Sequence, residues 1–153
     1  MEDYIDLWDK YSIQFCKTLE YTMSGDWSKL DEDEQEIAAL WKLLVDMYNG
    51  GFIQFFCNWG FAGYWYAMRG LQRIEAVSLL NLLHNTYQSV LDKFKDDPRL
   101  KAYWDIPVYM TDEDEKILKE TDDLFYQKEG EIFAEKAYNF YCNTLKKEAR
   151  ESD

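Results

Sequence analysis

Histidine is almost absent from this chain: His84 is the only one in 153 residues. Catalytic schemes and metal sites that need two or more imidazoles from one chain are therefore excluded. Cysteine is scarce as well, and Cys16, Cys57 and Cys142 stand too far apart for the CxxC spacing of a thiolate metal site. Three is also an odd number for a disulfide framework, which points to a reducing compartment. Proline occurs only as Pro98 and Pro107, so nothing outside that short stretch forbids a helical pattern. Bases are outnumbered, with 17 Lys and Arg against 30 Asp and Glu and a net charge of −13. That balance opposes direct binding to nucleic acid or an anionic membrane, because phosphates are held by Lys and Arg. The expected partner is basic or neutral. No apolar run approaches the roughly 18 residues of a membrane span. The start, Met1-Glu2-Asp3-Tyr4-Ile5-Asp6, has neither the basic nor the apolar region of a signal peptide. A cytoplasmic protein is the expectation.

What is present suffices for one domain over residues 1–153: 47% of the residues are hydrophobic and 18% aromatic. Helical spacing dominates, and the expected class is all-α, a compact domain of about six or seven helices. Tyr4, Trp8, Tyr11, Phe15 and Leu19 form an inward stripe. A second helix begins in the acidic turn Asp31–Glu36, buries Ile37, Leu40, Trp41, Leu44, Val45 and Tyr48, and stops at Asn49-Gly50-Gly51. Residues 52–73, aromatic-rich and interrupted by Gly60, Gly63 and Gly70, read as a short helix, a turn, and a second helix containing Tyr66 to Arg73. From Glu75 to Phe94 a stripe of Val77, Leu80, Leu83, Tyr87, Val90, Leu91 and Phe94 faces inward, ending at Asp97-Pro98. A connector follows to Met110. Thr111 then caps a helix that buries Ile117, Leu118, Thr121, Leu124 and Phe125. A last helix from about Glu131 to Leu145 buries Ile132, Phe133, Ala137, Phe140 and Tyr141.

The most distinctive segment is Asn49-Gly50-Gly51-Phe52-Ile53-Gln54-Phe55-Phe56-Cys57-Asn58. Two glycines allow a tight turn, Phe52, Phe55 and Phe56 take buried spacing, and Gln54 and Asn58 share a helix face, placed to bond backbone groups left open at the corner. It reads as a corner that sets two helices against each other; a ligand or partner pocket is the alternative. This decapeptide resembles the signature of a bacterial family of small, acidic, all-helical proteins named after a DNA-mimic member. Asp46 stands where that family usually carries an acid, Leu71-Gln72-Arg73-Ile74-Glu75-Ala76 is similar to its Leu-x-x-Ile-Gly-Ala run, and Leu124-Phe125-Tyr126 matches a late Phe-Tyr element. The resemblance spans about residues 30–145. Tyr48 replaces a typical Asn, and Glu75 replaces the Gly. The resemblance implies a negative surface that imitates DNA phosphates and occupies the DNA-binding face of a helix-turn-helix transcription regulator.

The residues permit this on their own terms. Duplex DNA carries about one charge per 1.7 Å, and carboxylates at i and i+4 start about 5–6 Å apart. Glu32 and Glu36 form such a pair, both expected exposed, beside Asp31, Asp33 and Glu34. Asp112, Glu113, Asp114, Glu115, Asp122 and Asp123 supply a second strip, diluted by Lys116 and Lys119. Helix capping and solvation is the alternative reading of both runs. Neither run fits a calcium loop, and no GxSxG elbow, Walker loop or dinucleotide fingerprint occurs. No catalytic residue, metal or cofactor is expected. His84, beside Leu82 and Leu83, reads as a partly buried structural residue. The aromatic centre, Phe52, Phe55, Phe56, Trp59, Phe61, Tyr64, Trp65 and Tyr66, reads as core. Rings left exposed there would form a homodimer contact or a groove for a small ligand or a partner such as a toxin, sensitive to truncation of Trp59 or Trp65.

Overall fold

The computed structural model describes residues 3–142; the end of the last expected helix, at Leu145, lies outside them. Six α-helices follow in order, with no strand among the described residues. They are α1 (Tyr4–Lys17), α2 (Glu32–Asn49), α3 (Phe52–Arg73), α4 (Val77–Thr86), α5 (Asp112–Leu124) and α6 (Gly130–Ala137). α2 is buried nearly all round because Ala38, Ala39, Leu43 and Met47 add small or apolar surface to the faces of Ile37, Leu40 and Leu44. It packs between α1 and α3, and one contiguous apolar cluster takes residues from all six helices, from Trp8 and Leu40 to Leu83, Leu118 and Phe133.

The helix ends follow local chemistry. Asp31 and Glu34 exchange bonds in a capping box at the start of α2, and Thr111 and Asp114 do the same at α5. α2 stops at Asn49, and the chain turns through Gly51 at φ +86°. The break expected in residues 52–73 falls at Gly60, φ +64°, where two helical stretches of α3 meet across a kink. A Cβ there would meet the Tyr103 ring at 2.1 Å.

Residues 112–142 depart from the expected pair of separate helices. α5 passes through a wide π turn, Phe125–Glu129, straight into α6, which widens again at Tyr138–Cys142. Each wide turn adds a residue and rotates the inward face. That rotation accounts for Ile132, expected inside and exposed, whereas Leu124, also expected inside and exposed, precedes the wide turn and lies one residue off the inward stripe of Leu118, Thr121 and Phe125. Val77, also expected inside, is exposed in the first turn of α4, where Leu79 takes the core position. Tyr48 sits at the surface rather than in the core, against Phe125 and Tyr126.

α3 ends in a Schellman arrangement: the Ala76 N–H bonds the Leu71 carbonyl at 2.9 Å and the Glu75 N–H bonds the Gln72 carbonyl at 3.1 Å. The left-handed position is Glu75, φ +60°, where the resembled family carries glycine. A β-carbon is strained there, so Glu75→Gly is expected to stabilise the protein by about 1 kcal/mol, read as a rise in the urea midpoint. An unchanged midpoint would show that the turn carries no strain.

Candidate functional site

The acidic start of α2 is only partly a surface. Asp31 and Glu32 are exposed, while Asp33 and Glu34 are half-buried. Glu36, expected exposed, is fully buried. The reason lies on α3, where Arg69 and Arg73, one turn apart, reach across to it. Arg69 Nε donates to Glu36 Oε2, Arg73 Nη1 donates to Oε1 at 2.7 Å, and the Tyr141 hydroxyl donates to Oε1 at 2.7 Å. Arg73 also bonds Asp33. Burial works against its charge, yet the bonds to Asp33 and Glu36 raise Arg73 above its ordinary pKa. Burial, then the bond to Glu36, also raises the Tyr141 hydroxyl. Glu36 is thus an internal anchor between α2, α3 and the end of the described chain.

The start of α5 divides in the same way. Asp112, Glu113 and Glu115 are exposed, as is Glu120 further along. Asp114, counted with the surface strip, is buried: Lys93 Nζ donates to its two oxygens at 2.7 and 2.6 Å, and the Thr111 N–H to Oδ2 at 2.9 Å. Burial opposes ionisation there, but Lys93 and Thr111 hold the carboxyl below its ordinary range. Asp123 pairs with Lys119 at 2.9 Å. Asp122 accepts the Phe52 N–H at 3.0 Å, capping α3 across the glycine corner. The corner lies at the far end of α2 from Asp31–Glu36, roughly 25 Å along that helix. The structure therefore does not bring Asp122 to the first acidic cluster.

Burial pushes Asp122 up to about 6. A carboxyl whose folded pKa exceeds its unfolded value contributes stability below the unfolded pKa of about 4 and loses it as pH rises through the folded value. Asp122→Asn keeps an oxygen to accept the Phe52 N–H and cannot ionise. It is expected to be about 1–2 kcal/mol more stable than wild type at pH 7, after discounting for partial solvent access, and no more stable at pH 4. Urea unfolding at both values checks this; an equal difference at both would remove Asp122 as the titrating group.

At the decapeptide, the amides find a carboxylate rather than the open backbone groups expected for them. Gln54 Nε2 donates to Asp46 Oδ1 at 2.9 Å, and Asn58 Nδ2 and Trp59 Nε1 donate to Oδ2 at 3.3 and 2.8 Å. The face of the same indole receives the buried Lys42 ammonium, 3.1 Å from the ring centre, and Lys42 pairs with Glu20 at 2.8 Å. The decapeptide is a folding corner built on Asp46 and Asp122. Phe52, Phe55, Phe56 and Tyr64 are core, Trp59, Phe61 and Tyr66 are half-buried, and only Trp65, at 66%, is largely exposed. His84, expected partly buried, is exposed on α4, where Leu83 takes the inward position.

A third acidic group forms no run in the sequence. Asp3, the N-cap of α1, and Asp6 are exposed and Asp9 is half-buried; they are spaced singly, every third residue. Among the described residues no group of three or more His, Cys, Asp or Glu could hold a metal ion, and no helix is long and apolar enough to cross a membrane. The family model described as DMP19-like protein matches residues 28–144. No curated protein matches the chain, and no solved structure does.

Proposed function

The chain belongs to the DMP19-like protein family, a DNA-mimic family, and from that premise we propose that it acts by competing with DNA for a basic DNA-binding protein, such as a helix-turn-helix transcription regulator. The observation that carries this reading is the set of exposed carboxylates at the starts of α2 and α5: Asp31, Glu32, Asp112, Glu113 and Glu115. Three nearby cations are engaged inward, Arg69 and Arg73 by Glu36 and Lys93 by Asp114, while Lys29 and Lys116 remain exposed and dilute the negative surface. Glu36 and Asp114 then serve as internal partners, and the mimicking charge belongs to their exposed neighbours. The family is generally non-enzymatic, and the reading needs no catalytic group.

Capture from lysate of the source cells on the immobilised protein tests it. The expected result is a DNA-binding protein that is held at low salt, leaves at high salt, and is displaced by duplex DNA, because unlike charges across a rim are screened. The triple variant E32K/E113K/E115K replaces exposed side chains and is expected to fold normally while losing about tenfold or more of the affinity. Retention that resists salt and disappears with Trp65→Ala would overturn mimicry in favour of the aromatic surface.

A further inference from the structure

An open groove of about 530 Å³ runs between α1 and the C-terminal half of α2. Asp3, Asp6 and Asp9 form one rim, and Ile5, Leu44 and Val45 supply apolar lining. The groove is shallow and mostly open to solvent, the shape of a docking surface rather than of an enclosed ligand pocket. Half of the groove is built by a helix that precedes the residues matched by the family.

The groove is mainly negative, with Lys10 the cation beside its aspartates. The last turn of α2 ends in it at Asn49, bringing the negative end of a helix dipole. Tyr48, also in the lining, has its hydroxyl pKa raised first by burial and then by the charges of Glu131 and Asp3, so a further carboxylate from α6 acts on the same place. Lys10 pairs with Asp6 at 2.9 Å, but both side chains are at least half exposed and such a pair is weak. Asp9 is oriented by the Trp41 indole N–H at 2.7 Å, which leaves its second oxygen available. The carboxylates are strung along α1 and do not form a metal-holding group. Charge spread beside an apolar floor suits a row of cationic side chains carried on an amphipathic segment.

We propose that this groove docks a basic amphipathic segment of a protein partner: lysine or arginine side chains meet Asp3, Asp6 and Asp9, and an aliphatic side chain enters between Ile5, Leu44 and Val45. The inference rests on the preceding reading for the sign of the partner's charge and stands apart from it on whether DNA competes. The probe is a synthetic helical peptide of leucine and lysine, with a serine–lysine peptide of equal charge as the comparison. Binding to the full chain is followed by calorimetry and by amide shifts in NMR spectra. D3N/D6N/D9N keeps the α1 cap and the acceptor for Trp41 while removing the rim charge; Val45→Lys places a cation in the floor. Each is expected to weaken the leucine–lysine peptide at least about tenfold, E113K/E115K is expected to leave it unchanged, and the shifts should fall on residues 3–9 and 44–48. Equal binding of the serine–lysine peptide, binding indifferent to the groove variants, or no binding would overturn the proposal. The two readings fail separately. A captured partner displaced by DNA equally well from wild type and D3N/D6N/D9N removes the groove and leaves mimicry; peptide binding lost in the groove variants, without any DNA-displaceable partner, removes mimicry and leaves the groove.

Discussion

Glu36→Ala is expected to destabilise the protein by about 3–5 kcal/mol, the cost of removing one member of a buried, hydrogen-bonded charge group. Two arginines and a tyrosine converge on this carboxylate. Without it, Arg69 keeps bonds to the Glu32 carbonyl and Gln35 at 2.9 Å each, and Arg73 keeps Asp33, but the Tyr141 hydroxyl is stranded in the interior. Glu36→Gln preserves volume and an acceptor and is expected to cost less, while Glu32→Ala, at the exposed end of the same pair, should cost less than about 1 kcal/mol. Urea unfolding of the three variants checks the order. Equal, small effects of Glu36→Ala and Glu32→Ala would return Glu36 to the surface and undo the division of the acids proposed above.

Gly51→Ala is expected to cost about 2–4 kcal/mol, for two reasons that add. The residue has φ +86°, where a β-carbon is strained by about 1–3 kcal/mol. That carbon would also lie 2.1 Å from Asp122 Oδ2. The Asp122 carboxylate cannot step aside freely because it holds the Phe52 N–H at the start of α3, and a lost cap costs about 0.5–2 kcal/mol more. Combining Gly51→Ala with Asp122→Ala separates the terms: the double variant should be less destabilised than the sum of the singles, since the clash counts only while Asp122 is present. Strict additivity would mean that backbone strain alone explains the glycine.

Much of this architecture was legible because it rests on local rules. Thr111 before an acidic turn announced a cap, Asn49-Gly50-Gly51 announced a stop, and the apolar stripes of α1 and, apart from Tyr48, of α2 face inward as spaced. The wide turn at Phe125–Glu129 was not legible, since no residue there breaks a helix and the change is one of register alone. The acids failed differently. Glu32 and Glu36 share one helix face, and spacing does not tell which end of that face meets a neighbouring helix. The available signal was Arg69 and Arg73, an i,i+4 pair in the one third of the sequence poor in acids, placed to reach into another helix. Asp46, Gln54, Asn58 and Trp59 likewise come together only once the corner is folded. The aspartates of α1 and its cap form no run in the sequence, because a groove needs charge at helical intervals.

Mimicry requires that this protein and duplex DNA occupy the same surface of one basic partner. The direct measurement is displacement of labelled operator DNA from the captured, purified partner by rising amounts of this protein, followed by fluorescence anisotropy at several salt concentrations. Complete displacement is expected, with an affinity that falls steeply with salt and a clear loss for E32K/E113K/E115K. A ternary complex in which the labelled DNA stays bound, or an affinity indifferent to salt, would contradict mimicry.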